Sequence, residues 1–294
     1  MGSNKHYFLS EQSPELNPER LDQIIKHALV EDIGKGDMTT QLTIPEDKEI
    51  KAHFVAKEDC VICGLLVADR TVKLVDKNLN FTPMVTEGRK IKAGKVIAEI
   101  SGNARNVLIA ERVALNFLSL MSGIATKTRE YVSCIEPLKT KIVDTRKTFP
   151  GLRDLQKYAV RVGGGYNHRM SLDEMILIKD NHIQVTDGYS RLPSIPKGFK
   201  IEIEVQNLDE FRHALKFKPD VIMLDNMSIE DMKEAVSILD NTLFNSHHPR
   251  TKLEASGGIS KDNVRQVAET GVDIISIGEL THSVDSVDIS MDVV

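Results

Sequence analysis

The second half of the chain alternates short apolar runs with amphipathic segments, and this alternation restricts the fold more than any other feature. Segments such as LDEFRHALKF and IEDMKEAVSIL have helical periodicity and lie between the apolar runs. Repeated strand–helix units predict a parallel sheet with right-handed crossovers. Six units are fewer than the eight, in about 250 residues, of a complete barrel. We therefore predict an open or incomplete α/β barrel, with a doubly wound open sheet as the alternative. The six runs are KIVDT, MILIK, KIEIEV, VIMLDN, KLEASGG and VDIISIG.

The N-terminal part of the chain mixes helical and strand-like patterns, so we predict an α+β region there. NPERLDQIIKHALVEDIG has apolar residues at helical spacing and ends at Gly34, a common helix stop. The tail HSVDSVDISMDVV alternates apolar and polar residues like a strand, and we expect it to pair with the N-terminal sheet. The strand-like runs between these two segments are IKAHFVAK, CVICGLLVA and FTPMVTEGRKIKAGKVIAEISG.

Composition excludes several classes of function. The 294 residues carry a formal net charge of −5, with 41% hydrophobic and 28% charged residues, as is typical of a soluble globular protein. We therefore expect no nucleic-acid partner and no binding to anionic membranes. The sequence has no signal-peptide pattern and no apolar run of about 18 residues, so we expect no membrane span and a cytoplasmic location.

The cysteine and histidine pairs are weak candidates for sites. Cys60 and Cys63 form a CxxC pair without a second pair or a nearby set of histidines, so we expect small buried residues, not a redox or zinc site. Together with Cys134 they suit a reducing compartment. The polar loop at residues 241–252 contains His247 and His248, and a metal role there is the weaker interpretation.

The ends of the six predicted strands carry residues of three chemical kinds. In parallel α/β folds, functional residues collect at the carboxyl edge of the sheet, where strands end and loops begin. One solvated charge at a strand end is common, but cations, carboxylates and glycine turns sorted over six ends predict a site. These residues are Arg146, Lys147, Lys179, Glu204, Asp225, Ser256, Gly257, Gly258 and Gly278.

The two glycine turns predict a phosphate site. SGGISKDN brings bare backbone amides next to a helix for which Ser260 is the expected N-cap, and IGELTH repeats the arrangement one strand later. Glycine turns after the last two strands are a common phosphate cradle in α/β barrels. The alternative is that the glycines only shape two tight turns.

The cations near these turns exceed what one phosphate needs. Arginine is the preferred partner of planar carboxylates, because its fork donates two parallel hydrogen bonds. A small polycarboxylate with a phosphorylated co-substrate would use both groups of residues. Glu204 and Asp225 would then meet sugar hydroxyls or a divalent ion. Taken singly, each cation is more often a surface charge, and a lone histidine such as His168 is more often structural. The cations in question are Arg146, His168, Arg169 and Lys179.

Several long blocks, in order from about residue 20 to the end, resemble the quinolinate phosphoribosyltransferase family (nicotinate-nucleotide pyrophosphorylase, carboxylating). We find no departure at the charged positions of these blocks, and the loop at 241–252 looks longer than the pattern requires. The blocks are EDIGKGDMTT, AERVALNFLSLMSGIAT, DTRKTFPGLR, GGGYNHR, LIKDNHI, IEIEV, VIMLDNM, EASGGI and VDIISIGELTHS.

The resemblance implies a fold and an assembly. Residues 1–118 would form an N-terminal α/β sandwich joined by the tail 281–294, and residues 119–280 an open α/β barrel. The implied assembly is a homodimer in which the N-terminal region of one subunit closes the barrel mouth of the other. Arg112, at the polar edge of an apolar helical stripe, would then reach the neighbouring subunit's site.

The resemblance also implies a reaction and its participants. The reaction would be transfer of phosphoribose from phosphoribosyl pyrophosphate to quinolinate, with loss of pyrophosphate and CO2, to give nicotinate mononucleotide for NAD synthesis. Mg²⁺ would be the cofactor, near Glu204 and Asp225, and these two acids would join Lys147 and Lys179 as catalytic residues. A related transferase acting on nicotinate and a non-catalytic phosphometabolite binder stay open as alternatives. The implied substrate-binding residues are Arg112, Thr145, Arg146, Lys147, His168, Arg169, Lys179, Glu204, Asp225, Ser256, Gly257, Gly258, Ile277, Gly278 and Glu279.

Overall fold

The structure, a computed structural model, describes residues 8–10, 15–185, 198–243 and 250–294. These residues form two compact units. The antiparallel-sheet unit comprises residues 15–129, 148–164 and 279–294. The parallel-sheet unit comprises the described parts of 8–10, 130–147 and 165–278. The expected boundaries at residues 118 and 280 stay a prediction. His247 and His248 lie outside the described residues.

The antiparallel-sheet unit is built on a four-stranded sheet with the order β12-β1-β5-β3 and a small β2-β4 pair. The strand expected in the tail forms β12 and pairs antiparallel with β1. Its strands are β1 (Glu49–Ala56), β2 (Cys60–Val61), β3 (Asn80–Pro83), β4 (Lys90–Ile91), β5 (Val96–Asn103) and β12 (Ile289–Val293). Its helices are α1 (Pro18–Ile33), α2 (Met38–Thr43), α3 (Leu65–Val75), α5 (Arg153–Val162), α10 (Glu279–His282) and α4 (Ala104–Ile135) as far as Arg129.

One strand expected in this unit is wrong. The run CVICGLLVA forms only the two-residue β2, and its second half starts helix α3. Gly64 adopts φ 103°, which turns the backbone, and the Glu87 carboxylate accepts hydrogen bonds from the Gly64 and Leu65 N–H groups at 2.6 and 3.2 Å. A side chain 23 residues along the chain therefore supplies the missing helix cap, which no local pattern could indicate.

Helix α4 is long and apolar enough to cross a membrane by length and composition alone. However, 61% of its most apolar stretch is buried inside the fold. Val107, Ala110, Ala114 and Leu118 pack into the core of the antiparallel-sheet unit. These are the properties of a core helix.

The parallel-sheet unit contains all six strands predicted from the alternation. Their order is β6-β11-β10-β9-β8-β7, so chain order is kept around the sheet and the two edge strands are β6 and β7. A doubly wound sheet would reverse direction at a switch point, whereas this order is that of an open α/β barrel. The strands are β6 (Lys141–Val143), β7 (Met175–Ile178), β8 (Lys200–Val205), β9 (Val221–Asp225), β10 (Lys252–Ser256) and β11 (Ile274–Ser276). The helices are α6 (Asp180–Val185), α7 (Leu208–Ala214), α8 (Ile229–Leu243) and α9 (Val264–Ala268).

The seam between β6 and β7 is spanned by residues 166–169. Tyr166 forms a parallel bridge with Val143 of β6, and Arg169 Nη1 donates a hydrogen bond to the Met175 carbonyl of β7 at 2.9 Å. The segment that carries His168 and Arg169 therefore lies where the sheet is open.

Candidate active site

Parallel register brings the strand ends of the parallel-sheet unit to one edge. Ile178 of β7 aligns with Ile203 of β8, so Lys179 emerges beside Glu204. Asp225, the last residue of β9, aligns with Ser256, the last residue of β10. The expectation that strand-end residues lie together holds for these four, because adjacent parallel strands end at the same level.

Lys179 and Glu204 form an ion pair at this edge. The Lys179 Nζ donates to Glu204 Oε2. The side chain of Glu204 is only 6% exposed, whereas that of Lys179 is 41% exposed and can reach an incoming ligand. The pair therefore supplies one ammonium group and one carboxylate whose charges balance each other.

Arg146 and Arg169 are close enough to repel each other. Burial lowers the pKa of the Arg169 guanidinium, and the charge of Arg146 lowers it further, while Glu202 and Glu174 oppose the shift. Bringing two guanidinium groups together costs free energy that an anion between them would recover. The positive charges of these two residues therefore favour an anion in their surroundings.

Asp144 organises the backbone beneath these arginines. The residue is fully buried at the end of β6, and its carboxylate accepts hydrogen bonds from the His168 N–H at 2.9 Å and from Asn167 Nδ2 at 2.5 Å. Asp144 therefore ties the 166–169 segment to the strand that leads into Arg146.

A cluster of polar groups lies deeper in the same unit. His168 Nε2 is 3.1 Å from Glu202 Oε2 and 3.6 Å from Glu254 Oε2, and both glutamates are completely buried. Neither carboxylate has a hydrogen-bond partner of good geometry among the described residues. Burial raises the pKa of Glu254 to about 8, and the charge of Glu202 acts in the same direction. We call His168, Glu202 and Glu254 the interior cluster.

In the glycine turn after β10, position 257 has no room for a side chain. Gly257 and Gly258 adopt φ 87° and 62°, and a Cβ on Gly257 would lie 2.3 Å from Asn226 Oδ1. Only glycine therefore fits at position 257, and the turn presents bare backbone next to Asp225 and Ser256.

Ser260 does not cap the following helix, contrary to our expectation. Helix α9 starts at Val264 after Asn263, and the Ser260 carbonyl instead accepts from the Val264 N–H at 2.9 Å. Asn263 also binds the Ser260 N–H and the Gly258 carbonyl through its side chain, which lengthens the turn. A helix of five residues at this distance adds little dipole to the glycine turn.

The remaining predicted residues lie in varied surroundings. Thr145 Oγ1 accepts from the Lys147 N–H at 3.0 Å, and the Lys147 side chain is exposed. Ile277 is buried and its N–H donates to the Val143 carbonyl at 3.0 Å, so that amide is already used, and Gly278 follows it at the strand end.

Two predicted residues belong to the antiparallel-sheet unit. Arg112 is exposed on α4. Glu279 begins α10, and its carboxylate lies 3.4 Å from Lys127 Nζ.

Glu202, Glu254 and Asp144 were missed from the sequence. A signal for the glutamates was present, because residues two apart in a strand face the same side. Glu202 precedes Glu204 by two residues and Glu254 precedes Ser256 by two, so each shares the inward face of a predicted site residue.

Comparison with known proteins gives consistent matches along the chain. Residues 37–122 match the family model of the quinolinate phosphoribosyl transferase N-terminal domain, and residues 124–292 match that of the C-terminal domain. The chain is 40% identical over 279 residues to the probable nicotinate-nucleotide pyrophosphorylase (carboxylating) of Synechocystis sp., covering 93% of this chain and 92% of that protein. It is 40% identical over 285 residues to the corresponding Bacillus subtilis protein, covering 95% of each. The nicotinate-nucleotide pyrophosphorylase structure from Francisella tularensis superposes with a TM-score of 0.88 at 38% identity, covering 97% of this chain and 100% of that one.

Proposed function

The chain belongs to the quinolinate phosphoribosyltransferase family, and we propose that it transfers phosphoribose from phosphoribosyl pyrophosphate to the ring nitrogen of quinolinate. Pyrophosphate and CO2 would leave, and nicotinate mononucleotide would enter NAD synthesis. The observation that supports this proposal is the meeting of strand-end residues at one edge of the parallel sheet, with Lys179 beside Glu204 and Asp225 beside Ser256.

Arg146 and Arg169 are the proposed ligands of the two quinolinate carboxylates. Each guanidinium can hold a carboxylate through two parallel hydrogen bonds, and a dianion would relieve the repulsion between them. Two clamps on one planar ring also fix the direction of its nitrogen, which supplies the alignment that the displacement needs. Thr145 and Lys179 would complete this side of the site.

Lys147 and Lys179 are the proposed partners of the departing pyrophosphate. Lys179 directly follows β7 and Lys147 lies in the loop after β6, and their side chains are half-exposed and exposed, respectively. Mg²⁺ fits the neighbouring donors, because Glu204 and Asp225 offer the carboxylate oxygens that this ion prefers, and when bound it would neutralise charge on the leaving group.

Glu204 and Asp225 would stabilise the positive charge that develops on the ribose. Displacement at the anomeric carbon passes through an oxocarbenium-like state, and negative groups beside the sugar lower its energy. The proposed 5-phosphate site is the backbone of the two strand-end turns, at Ser256–Gly258 and Gly278–Glu279; the Ile277 N–H donates to the Val143 carbonyl instead. After transfer the ring nitrogen is positively charged, so the adjacent carbon can keep the electrons of the departing carboxylate.

Turnover with two acids tests this function. The protein, phosphoribosyl pyrophosphate and Mg²⁺ are incubated with quinolinate or with nicotinate, and pyrophosphate and CO2 are measured together. We expect equal amounts of both products from quinolinate and little turnover of nicotinate. Activity on nicotinate alone would favour the related transferase, and binding of both substrates without turnover would favour a metabolite-binding protein.

We also propose a homodimer in which Arg112 acts in the neighbouring subunit's site. Arg112→Ala and Lys147→Ala variants, each inactive alone, are unfolded together and refolded as a mixture. Random pairing would restore about a quarter of the wild-type activity, because half of the dimers would contain one intact site. If the refolded mixture contains dimers but regains no activity, the site is not shared between subunits.

A cytoplasmic location is part of the proposal. Cys60, Cys63 and Cys134 are free thiols in the fold, which suits a reducing compartment.

A further inference from the structure

We propose that Lys127 is a positioning residue that neutralises the Glu279 carboxylate beside the proposed phosphate turn at Gly278–Glu279, so that this turn can bind the phosphate monoester of a sugar. The inference rests on the proposed function, because the turn is part of the proposed 5-phosphate site.

The turn after β11 carries an acidic side chain where an anion is proposed to bind. Glu279 directly follows Gly278 and is the first residue of helix α10. A carboxylate so close along the chain to a bound phosphate adds a second negative charge, and like charges repel. The other proposed phosphate turn, Ser256–Gly258, contains no acidic residue. The turn after β11 therefore needs a cation beside Glu279 before it suits a phosphate.

Lys127 of helix α4 supplies this cation. Its Nζ lies 3.4 Å from Glu279 Oε1 and donates a hydrogen bond to the Ser283 carbonyl at 2.6 Å. Glu279 begins the four-residue helix α10 and Ser283 directly follows it, so one ammonium group contacts both ends of the helix. The side chains of Lys127 and Glu279 are 21% and 32% exposed, so water screens the pair only in part.

The position of Lys127 follows from the way the C-terminal tail runs along α4. The Ser119 carbonyl accepts a hydrogen bond from the Val287 N–H at 3.1 Å. A Cβ on Gly123 would lie 2.2 Å from the Asp285 carbonyl oxygen, so only glycine lets the tail approach there. Positions 119, 123 and 127 are four apart and share one face of the helix. The tail follows this face, which places the Lys127 side chain beside α10.

Helix α10 has a second anchor that does not involve Lys127. Gln156 Nε2 donates a hydrogen bond to the Thr281 carbonyl at 2.7 Å, and Gln156 Oε1 accepts one from the Phe149 N–H at 2.7 Å. Gln156 and Thr281 are both fully buried. Loss of the lysine should therefore leave α10 in place and mainly remove the positive charge beside Glu279.

Substitution by methionine tests the charge with little change of shape. Lys127→Met keeps an unbranched apolar stem that suits a helix but has no ammonium group. The probe is ribose 5-phosphate, whose only charged group is the phosphate monoester, and its Kd is measured by isothermal titration calorimetry. We expect Lys127→Met to raise this Kd about fivefold and Lys127→Arg to stay within about twofold of wild type. The Kd for quinolinate should not change, because its proposed ligands are other residues.

A second substitution separates neutralisation of Glu279 from other roles of Lys127. Glu279→Gln removes the charge that Lys127 is proposed to balance, so adding Lys127→Met to it should change the Kd for ribose 5-phosphate by less than about twofold. Lys51→Met is the matched control, because Lys51 pairs with Glu99 at 2.8 Å on the antiparallel sheet, and it should leave this Kd unchanged. If Lys127→Met raises the Kd by the same factor with Glu279 and with Gln at position 279, the proposal is overturned.

Salt distinguishes a charge effect from a displaced helix. Mobile ions screen charges at a partly exposed pair, so the ratio of the two Kd values, Lys127→Met to wild type, should shrink between about 0.1 M and about 1 M NaCl. A ratio that is the same at both salt concentrations would mean that the substitution moves α10, and it would overturn the proposal.

Turnover separates this inference from the proposed function. In the quinolinate assay we expect Lys127→Met to raise the KM for phosphoribosyl pyrophosphate about fivefold with a smaller change in kcat. If the binding results are as expected but quinolinate is not turned over, the proposed function fails and the role of Lys127 stands. If quinolinate is turned over but Lys127→Met binds ribose 5-phosphate as the wild type does, the role of Lys127 fails and the function stands. A wild-type protein that binds no ribose 5-phosphate would also overturn the inference.

Discussion

Glu204 and Glu202 lie two residues apart on the same face of β8, yet their surroundings differ sharply. Glu204 is at the rim, paired with the half-exposed Lys179, whereas Glu202 is fully buried beside His168 and Glu254. A rim carboxylate can exchange its partner for a substrate, because both the lysine and water remain within reach. An interior carboxylate has no such exchange, because it has no contact with solvent. Depth in the barrel thus separates a layer that can meet ligands from a layer that supports it.

The largest expected effect comes from breaking the ion pair between Lys179 and Glu204. Lys179→Ala removes the charge proposed for the leaving group and leaves Glu204 buried without its cation. We expect kcat/KM to fall about 10³-fold, the scale of a lost transition-state charge contact. Steady-state kinetics with quinolinate measure it. Lys261→Ala, which removes a lysine paired with Glu130 elsewhere in the same unit, should leave kcat/KM unchanged.

The next prediction tests whether position 169 needs the planar fork of arginine or only a positive charge. Arg169→Lys keeps the charge and loses the planar fork, so we expect a KM for quinolinate raised about 10- to 100-fold. Arg212→Lys, on an exposed arginine paired with Glu234, is the matched control. A wild-type KM in Arg169→Lys would mean that Arg169 does not clamp a carboxylate.

A smaller effect is expected at the glycine turn beside the rim. Gly257→Ala and Gly198→Ala both place a Cβ at positive φ, but only at Gly257 does the Cβ meet a neighbour, Asn226. Backbone strain should lower the free energy of unfolding by about 1–2 kcal/mol in each variant, and Gly257→Ala should lose more because its Cβ meets Asn226. Only Gly257→Ala should also raise the KM for phosphoribosyl pyrophosphate. Equal kinetics in the two variants would remove the turn from the proposed phosphate site.

The smallest effect probes the interior layer. Because the fold favours protonated Glu254, the native state binds more protons than the unfolded chain between the usual pKa and about 8. The free energy of unfolding therefore falls as pH rises through this window, by about 1 kcal/mol per unit for one such group. Glu254→Gln should lack this part of the slope, as measured by urea denaturation at pH 6 and 7. Parallel slopes for the two proteins would mean that Glu254 is ionised in the fold.

Many residues at the carboxyl edge of the parallel sheet could be predicted from local patterns. Lys179, Asp225 and Ser256 end or directly follow apolar runs, and parallel strands bring such residues to one edge regardless of packing detail. The interior cluster was harder to predict, because Glu202 and Glu254 lie within strands in which apolar and polar residues alternate as in many other strands. Their meeting depends on β8 and β10 enclosing one interior with β9 between them.

The two wrong expectations have related causes. The start of α3 depends on Glu87, and the start of α9 depends on the side-chain bonds of Asn263. Residue preferences for helix ends act over three or four positions, so they cannot account for a cap supplied from a distant turn or for a loop that its own asparagine extends.

By itself, the sequence determined the class of fold and the chemical kinds of residue at the strand ends, because both follow from periodicity along a single strand or helix. Only the tertiary structure decided which way the His168 ring points and which carboxylates share its surroundings. Those contacts join segments 34 and 86 residues from His168, and no short stretch of sequence specifies the burial that brings them together.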